Sequence, residues 1–205
     1  MIRTIKYKAG EIIRQKNAHV YILHFIFCLL ISCAPSIKEL SETDPEAVIN
    51  RKNELLAGSS VSKEVKTAVI NAHNKIGNEA LRREDLEEAE KQFNESLLLD
   101  NKNKQAHYGL AMIKGLRRFK KGSKSALWEA MENFGKAAFF DPAKGDPHYW
   151  MGRTYEKKDD GDFDLIIEAY EKALGLPLPD PLKQDAQNRL ELVKKHQKTL
   201  EDFWN

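Results

Sequence analysis

Three histidines recur at similar points of the sequence and could in principle bind a metal ion. They are His73, His107 and His148, which are separated by 34 and 41 residues. Each metal–nitrogen bond would have to be about 2 Å long, whereas packed helices lie about 8–10 Å apart. Equivalent residues on successive helical units therefore cannot share one ion. We interpret the three side chains as packing residues, and we expect neither a metal site nor a cofactor.

Other catalytic patterns are missing from the sequence. It contains no phosphate-binding loop, HExxH zinc motif, dinucleotide-binding glycine pattern or G-x-S-x-G nucleophile motif. Lys and Arg total 33 against 31 Asp and Glu, for a net charge of +2. A charge this balanced does not favour nucleic-acid binding. We therefore expect a protein that is neither an enzyme nor a nucleic-acid-binding protein.

The only two cysteines, Cys28 and Cys33, lie within and directly after an uncharged apolar segment, residues 20–32. The 19 residues before this segment carry five basic residues and one acid. This uncharged segment of 13 residues is too short for a membrane-spanning helix, which needs about 20. The pattern is typical of a secretory signal peptide, predicted here over residues 1–32. Its removal would change the net charge from +2 to −2.

The segment Leu29-Leu30-Ile31-Ser32-Cys33 resembles the bacterial lipobox, in which aliphatic and small residues precede an obligatory cysteine. The resemblance implies that the Cys33 thiol carries a diacylglyceryl group and that cleavage before it exposes an amino group for acylation by a fatty acid such as palmitate. It also implies a lipid-anchored protein of the bacterial cell envelope. Ala34, where Asp would signal inner-membrane retention, favours the outer membrane. An uncleaved anchor, or a buried helix with an incidental cysteine, is the alternative.

Residues 33–63 are polar and include Pro35, Pro45 and Gly58. Asp44 and Pro45 are suited to cap and begin a short helix that would end near Leu56. We interpret this stretch as a tether with one loosely packed helix.

From residue 64 onwards, similar residues recur with a period near 34. The spacing becomes 41 in the second unit and about 36 in the third. The recurring residues are His73, Ile76, Gly77, Ala89 and Phe93; then His107, Leu110, Ala111, Ala130, Phe134 and Pro142; then His148, Met151, Gly152, Tyr155, Tyr170, Ala173 and Pro177. This order of large, small and aromatic residues resembles the tetratricopeptide repeat. The resemblance implies an all-α solenoid of three helical hairpins over residues 64–179, at about 70–103, 104–144 and 145–179.

The residue types that recur in the three units have a physical interpretation. Glycine and alanine allow neighbouring helices to approach closely, while Phe93, Phe134 and Tyr170 fill the space between units. Proline ends the second helix of a unit because it cannot continue the hydrogen-bond ladder. Residues 180–205 have apolar side chains on one helical face, which predicts a capping helix. We expect Phe203 and Trp204 to fold back on it; the alternative is that they are left exposed.

Repeats of this family bind peptides on the face lined by their first helices. When the family's groove positions are transferred one by one to this sequence, the resemblance predicts a binding groove. Its expected residues are Asn74, Asn78, Gln105, Tyr108, Met112, Tyr149 and Arg153. Amide side chains can hold a peptide backbone, and Tyr and Met provide adaptable apolar contact. The alternative is that these residues form ordinary solvated helix faces.

A second candidate surface is the basic stretch over residues 117–124, predicted to lie in the turn between two helices. Its charged residues are Arg117, Arg118, Lys120, Lys121 and Lys124, around Phe119. Such a loop could contact anionic lipid, acidic glycan or an acidic protein. It could equally be a solvated loop, or it could extend the first helix.

Taken together, the sequence favours an envelope lipoprotein that acts as a protein–protein interaction scaffold or assembly factor. The partner would be a protein or peptide of the cell envelope, and the membrane would be reached through the lipid on Cys33. The alternative is a periplasmic ligand-binding component of an envelope or transport system.

Overall fold

The computed structural model describes residues 35–58, 60–158 and 161–204. The predicted signal peptide and the predicted lipid attachment at Cys33 lie outside these ranges. Within them the chain forms α-helices and no β-strand, so the all-α prediction is confirmed. The helices are α1 (Ile37–Thr43), α2 (Pro45–Asn50), α3 (Lys52–Leu56), α4 (Lys63–Arg82), α5 (Leu86–Leu99), α6 (Lys104–Lys121), α7 (Lys124–Phe140), α8 (Asp146–Lys158), α9 (Phe163–Leu174) and α10 (Asp180–Trp204).

Polar side chains account for many of the helix starts. In six of these helices, the residue before the first turn accepts a hydrogen bond from a backbone N–H three residues later. This bond satisfies a donor that has no partner within the helix, and it contributes about 1 kcal/mol. The capping residues are Ser36 (α1), Asp44 (α2), Ser62 (α4), Asp85 (α5), Asn103 (α6) and Ser123 (α7).

The stretch before α4 is packed more extensively than the sequence predicted. Instead of one loosely packed helix over residues 45–56, it contains three short helices, α1 to α3. Helices α1 and α2 pack against α4, and Val48 is fully buried in a cluster with Val69 and Ala72. These contacts attach α1 and α2 to the rest of the fold.

Helices α4 to α10 each pack against the next helix in the chain. Phe93 of α5 is fully buried and lies against two glycines, Gly77 of α4 and Gly109 of α6. A Cβ atom added to Gly109 would lie only 2.2 Å from the ring of Phe93. The absence of a side chain at these two positions therefore allows one aromatic ring to join three helices.

The same arrangement recurs further along the chain. Phe134 of α7 lies against Gly115 of α6, and Tyr170 of α9 lies against Gly152 of α8. An added Cβ atom would approach the ring to 2.4 Å in the first case and 2.8 Å in the second. These two contacts lie within one predicted unit, whereas the contact of Phe93 with Gly109 joins the first predicted unit to the second.

The seven extra residues of the second predicted unit lengthen its helices. Helices α6 and α7 have 18 and 17 residues, whereas α8 and α9 have 13 and 12. Helix α6 continues to Lys121 and ends at Gly122, whose φ of 70° is the left-handed conformation that glycine adopts readily. The prediction of a loop over residues 117–124 is therefore wrong, and the alternative of an extended first helix is confirmed.

The C-terminal helix α10 packs against α8 and α9, and it buries Ala186 and Val193 on its apolar face. Its end is different, because Phe203 and Trp204 are 76% and 81% exposed. The prediction that they fold back is wrong: α10 has 25 residues and α9 only 12, so α10 extends past its neighbour. None of the helices in the described ranges has the length and apolarity that a membrane crossing requires.

Candidate functional site

A groove of about 670 Å³ lies where α4, α6, α8 and the segment before α10 meet. Most of its walls are apolar, with polar groups at the edges. Helix α4 contributes Asn78, Leu81 and Arg82, α6 contributes Tyr108, Met112 and Leu116, and α8 contributes Asp146 and Trp150. The remaining wall consists of Pro177, Leu178, Pro179, Pro181 and Leu182, and the rim carries Glu84 and Lys144.

Tyr108 and Met112 are among the most deeply buried residues of this lining. The Tyr108 hydroxyl forms no hydrogen bond within the described part of the chain. Burial, followed by the charges of Asp146 and Asp141, raises the pKa of Tyr108, so the phenol stays protonated at neutral pH. The Lys144 ammonium lies 4.1 Å from the centre of the Tyr108 ring. The groove therefore offers an unpaired hydroxyl donor beside a cation.

A smaller hollow of about 260 Å³ adjoins the groove and shares Asn78 and Arg82 with it. Its lining is polar and includes Asn71 and Gln105. The Asn78 amide forms no hydrogen bond to any described residue. Amide groups both donate and accept hydrogen bonds, so the hollow provides a polar surface beside the apolar groove.

Asn74, which the sequence also predicted for the groove, has a different environment. It is buried, and its Nδ2 donates to the Oδ1 of Asn103 at 3.1 Å. The same Oδ1 accepts the backbone N–H of Ala106 as the cap of α6. Asn74 therefore links α4 to the start of α6 and does not line either hollow.

Tyr149 and Arg153 likewise lie outside the groove. The Tyr149 hydroxyl donates to the Asp185 carboxylate at 2.7 Å, and Arg153 donates to the Tyr149 oxygen at 2.9 Å. Asp185 belongs to α10, which covers this face of α8. The predicted binding surface of the third unit is thus occupied by the chain itself.

The hydrogen-bonded group of Tyr149, Arg153 and Asp185 extends to further residues of α8, α9 and α10. Arg189 donates to Asp185 at 2.6 Å and to Glu156 at 2.8 Å, and the Tyr170 hydroxyl donates to Glu156 at 3.0 Å. Burial alone would raise the pKa of Asp185, but the hydrogen bonds from Tyr149 and Arg189 outweigh burial and lower it. This network stabilises the docking of α10 on α8 and α9.

Sequence reasoning did not predict Arg82, Glu84, Lys144, Trp150 or the segment 177–182 as parts of the groove. The segment is held in place by a 2.9 Å hydrogen bond from the Gly145 N–H to the Pro177 carbonyl. Three prolines within five residues were a usable signal, because fixed φ angles make a stiff wall. The periodicity predicts only that Pro177 ends a helix, whereas the structure places it in the wall of the groove.

The basic residues of α6 are partly neutralised by acidic residues on neighbouring helices and on the turn between α4 and α5. Arg117 pairs with Glu90 at 2.6 Å, Arg118 with Glu129 at 2.9 Å and Lys120 with Glu84 at 3.0 Å. Within the described chain, Lys121 and Lys124 form no ion pair. The five cations therefore form no continuous free patch.

The three recurring histidines lie in different surroundings. His73 is buried and its Nδ1 donates to the Gln92 side chain at 2.6 Å. The His107 ring stacks on Phe140 with centroids 4.9 Å apart, and His148 is buried. Among the described residues, no group of three or more His, Cys, Asp or Glu could hold a metal ion.

Burial of His73 predicts that acidification weakens the fold. Burial lowers the pKa of His73 below 6.5, although the bond to Gln92 opposes this shift. The unfolded chain then binds a proton that the folded chain does not. The stability that depends on neutral His73 is complete above about pH 6.5 and is lost as the pH falls through the lowered pKa. Urea denaturation at pH 7.5, 6 and 5 should show a smaller decline for His73→Phe than for the wild type.

Two other histidines, His148 and His196, help to interpret the pH dependence of stability. Burial also lowers the pKa of His148, so His73→Phe should keep part of the decline. His196 is exposed on α10, and His196→Gln should decline as steeply as the wild type. An equal decline for His73→Phe and the wild type would contradict the role of His73.

No protein-family model matches this sequence, and no curated protein matches it significantly.

Proposed function

We propose that this protein is a tetratricopeptide-type scaffold of the bacterial envelope that binds a segment of a partner protein in the groove. The observation that carries the proposal is the groove itself. It combines apolar walls with a Tyr108 hydroxyl and an Asn78 amide that have no partner in the described chain. A partner segment would satisfy both groups and bury the apolar walls.

The tetratricopeptide assignment is supported by the way the helices meet. Successive helices from α4 onwards pack as neighbours, and four of the six junctions, α4–α5, α5–α6, α6–α7 and α8–α9, place a buried aromatic ring against a glycine, as in Phe93 on Gly109. Units of this kind bury a continuous core only by stacking on one another. Helix α10 covers Tyr149 of α8 through Asp185. This position is the one expected of a helix that caps the last unit.

A small ligand is the second candidate for the groove. Its volume of about 670 Å³ lies within the range of small-molecule sites, about 300–1,000 Å³. The adjoining polar hollow, lined by amide and charged side chains, favours the protein segment, because it extends the polar surface beyond what a compact ligand would cover.

The proposed binding can be tested with a matched pair of charge substitutions. Leu81 lines the groove, whereas Leu98 is 79% exposed outside it. A photoreactive amino acid at Asn78 should crosslink one reproducible partner in cell membranes. We expect Leu81→Glu to abolish this crosslink and Leu98→Glu to leave it unchanged, because only the first places a charge on an apolar wall.

Folding of both variants would be checked by their melting temperatures. Tyr108→Phe provides a gentler test, since it removes only the unpaired hydroxyl; binding of the purified partner should weaken about fivefold, the loss of one hydrogen bond. A crosslink that survives Leu81→Glu would refute the groove as the binding surface. Stabilisation by small solutes or cell-wall fragments, with no protein crosslink, would instead support the second candidate.

We further propose that the chain is anchored through lipid on Cys33, at the outer membrane and facing the periplasm. Two or more acyl chains hold a protein stably at a bilayer, whereas one does so only marginally. We expect Cys33→Ser to abolish palmitate labelling and to leave the signal peptide uncleaved. Cys28→Ser is the matched control, because it lies inside the apolar segment and should label normally. Labelling of Cys33→Ser would contradict lipidation at this residue.

A further inference from the structure

The charged side chains that line the groove differ in whether they have a partner of opposite charge. There are four of them, two basic and two acidic. Three are paired: Arg82 with Glu79 at 3.9 Å, Glu84 with Lys120 at 3.0 Å and Lys144 with Asp141 at 3.7 Å. The fourth, Asp146, forms no ion pair with any described residue. Within the described chain, the groove therefore contains one negative charge without a paired cation.

Asp146 is the first residue of α8, and its surroundings disfavour the charged carboxylate. Burial raises the pKa of Asp146, and its own backbone N–H and the charge of Lys144 offset only part of this rise. The Lys144 ammonium is engaged elsewhere, because it pairs with Asp141 and lies 4.1 Å from the centre of the Tyr108 ring. A cation brought into the groove from outside would compensate the charge of Asp146.

Tyr108 provides a second polar group for the same cation. Its side chain is only 3% exposed and lines the groove, and its hydroxyl has no hydrogen-bond partner in the described chain. The charge of Asp146 lies close enough to raise the pKa of Tyr108, second only to burial. A hydroxyl oxygen accepts hydrogen bonds from N–H groups, as a carboxylate does. The two residues can therefore bind one ammonium or guanidinium group together.

The surfaces around Asp146 and Tyr108 determine what else a partner must carry. Most of the groove wall is apolar, including Met112, Leu116 and Leu182. A lysine or arginine has a long apolar stem that packs against such a wall while its charged head reaches a carboxylate. Further charges in the partner would meet groups that are already paired. One basic residue between apolar residues is therefore the best match.

We propose that the groove selects a partner segment in which one lysine or arginine, flanked by apolar residues, pairs with Asp146. The inference rests on the groove of the proposed function, and it adds the chemistry of the segment that binds there. A neutral residue at the same point would leave Asp146 without a cation, and an acidic residue would repel it. Asp146 therefore determines specificity, because the wrong segments are disfavoured by an unpaired or repelled charge.

Selection from a library of short random peptides tests the proposal without knowledge of the natural partner. The full-length protein would be immobilised in detergent solution, and the peptides would be displayed on phage. We expect the wild type to enrich peptides with one lysine or arginine among apolar residues. Asp146→Asn should keep the apolar preference and lose the basic one. The matched control is Asp164→Asn, which removes an exposed acid from the first turn of α9 and should keep both preferences.

A double-mutant cycle with one enriched peptide measures the pair itself. Replacing the basic residue of the peptide by norleucine should weaken binding to the wild type about tenfold or more, as expected for hydrogen bonds to a charged group. The same replacement should change binding to Asp146→Asn by less than about threefold, because the opposite charge is then absent. Melting temperatures of the variants would verify their folding. Equal losses with the two proteins would overturn the proposal.

The proposed function and this inference fail in distinguishable ways. Apolar peptides enriched without a basic residue, together with a partner crosslinked at Asn78, would support the scaffold and overturn the role of Asp146. A basic preference that disappears in Asp146→Asn, with no crosslink at Asn78 in membranes, would support that role and contradict the scaffold function. If no peptide is enriched, the proposal is overturned, and stabilisation by a free amine such as spermidine would then identify a small cation as the occupant.

Discussion

Phe93→Ala should destabilise the protein by about 3–5 kcal/mol, the usual cost of removing a fully buried phenylalanine. Phe93 has no exposed surface, and its ring lies against both Gly77 and Gly109. Neither glycine has a side chain that could fill the space left by the ring. The cavity would therefore lie between α4, α5 and α6, and collapse would require these helices to move together.

Urea denaturation followed by circular dichroism would measure this change. Phe139→Ala is the matched control, since Phe139 is 81% exposed and its loss should alter the free energy of unfolding by no more than about 0.5 kcal/mol. Similar effects of the two substitutions would contradict the assignment of Phe93 as the residue that joins three helices.

Two glycine substitutions should change stability in opposite directions. In a helix interior, alanine is favoured over glycine by about 1 kcal/mol. At Gly135 of α7, an added Cβ atom would meet only the Met151 Cε at 3.6 Å, so Gly135→Ala should stabilise by about 0.5–1 kcal/mol. At Gly109, the added atom would lie 2.2 Å from the Phe93 ring. Overpacking of this kind costs about 1–3 kcal/mol or more, so Gly109→Ala should destabilise by about 2 kcal/mol after the gain in helix propensity.

Comparing Gly135→Ala with Gly109→Ala distinguishes the effect of packing from that of helix propensity. Both substitutions add a methyl group to a helix, but only the methyl group at position 109 would meet the buried ring of Phe93. Thermal melts of the two proteins would show a higher midpoint for Gly135→Ala and a lower one for Gly109→Ala. Stabilisation by both substitutions would mean that α5 and α6 can separate without cost, which contradicts the close contact at Phe93.

The helical core was predictable because it depends on residue size at fixed spacing. The aromatic residues Phe93, Phe134 and Tyr170 recur at regular intervals, and small residues recur opposite them. Since Gly and Ala are the only residues that permit so close an approach, size alone identifies which positions face each other. No knowledge of the distant parts of the chain is required for this inference.

The groove residues were harder to predict because their exposure depends on distant segments. Asn74 and Asn78 lie one turn apart on α4, yet Asn74 is engaged by Asn103 and Asn78 is not. Tyr149 occupies an equivalent position on α8, but α10 covers it through Asp185. Periodicity identifies the face of a helix. It does not identify which other helix will lie against that face.

The basic stretch of α6 shows why the sequence did not predict whether its glycines would interrupt a helix. Clustered charges and two glycines favoured a loop, but Gly115 lies against the ring of Phe134 and Gly122 ends the helix. Arg117 and Lys120 are accommodated because acids on nearby segments face them. A glycine can thus interrupt a helix, end it or pack inside it, and only tertiary contacts distinguish these outcomes.

The neighbour-to-neighbour packing also has a consequence for how the chain acquires its structure. Each substantial contact within the described ranges joins helices no more than three apart in chain order. A chain that emerges N-terminus first, from a ribosome or a translocation pore, therefore exposes each apolar face only until, at most, the next three helices appear. Contacts this local predict fast folding, and the nascent protein need not wait for its C-terminus before the first helices close on one another.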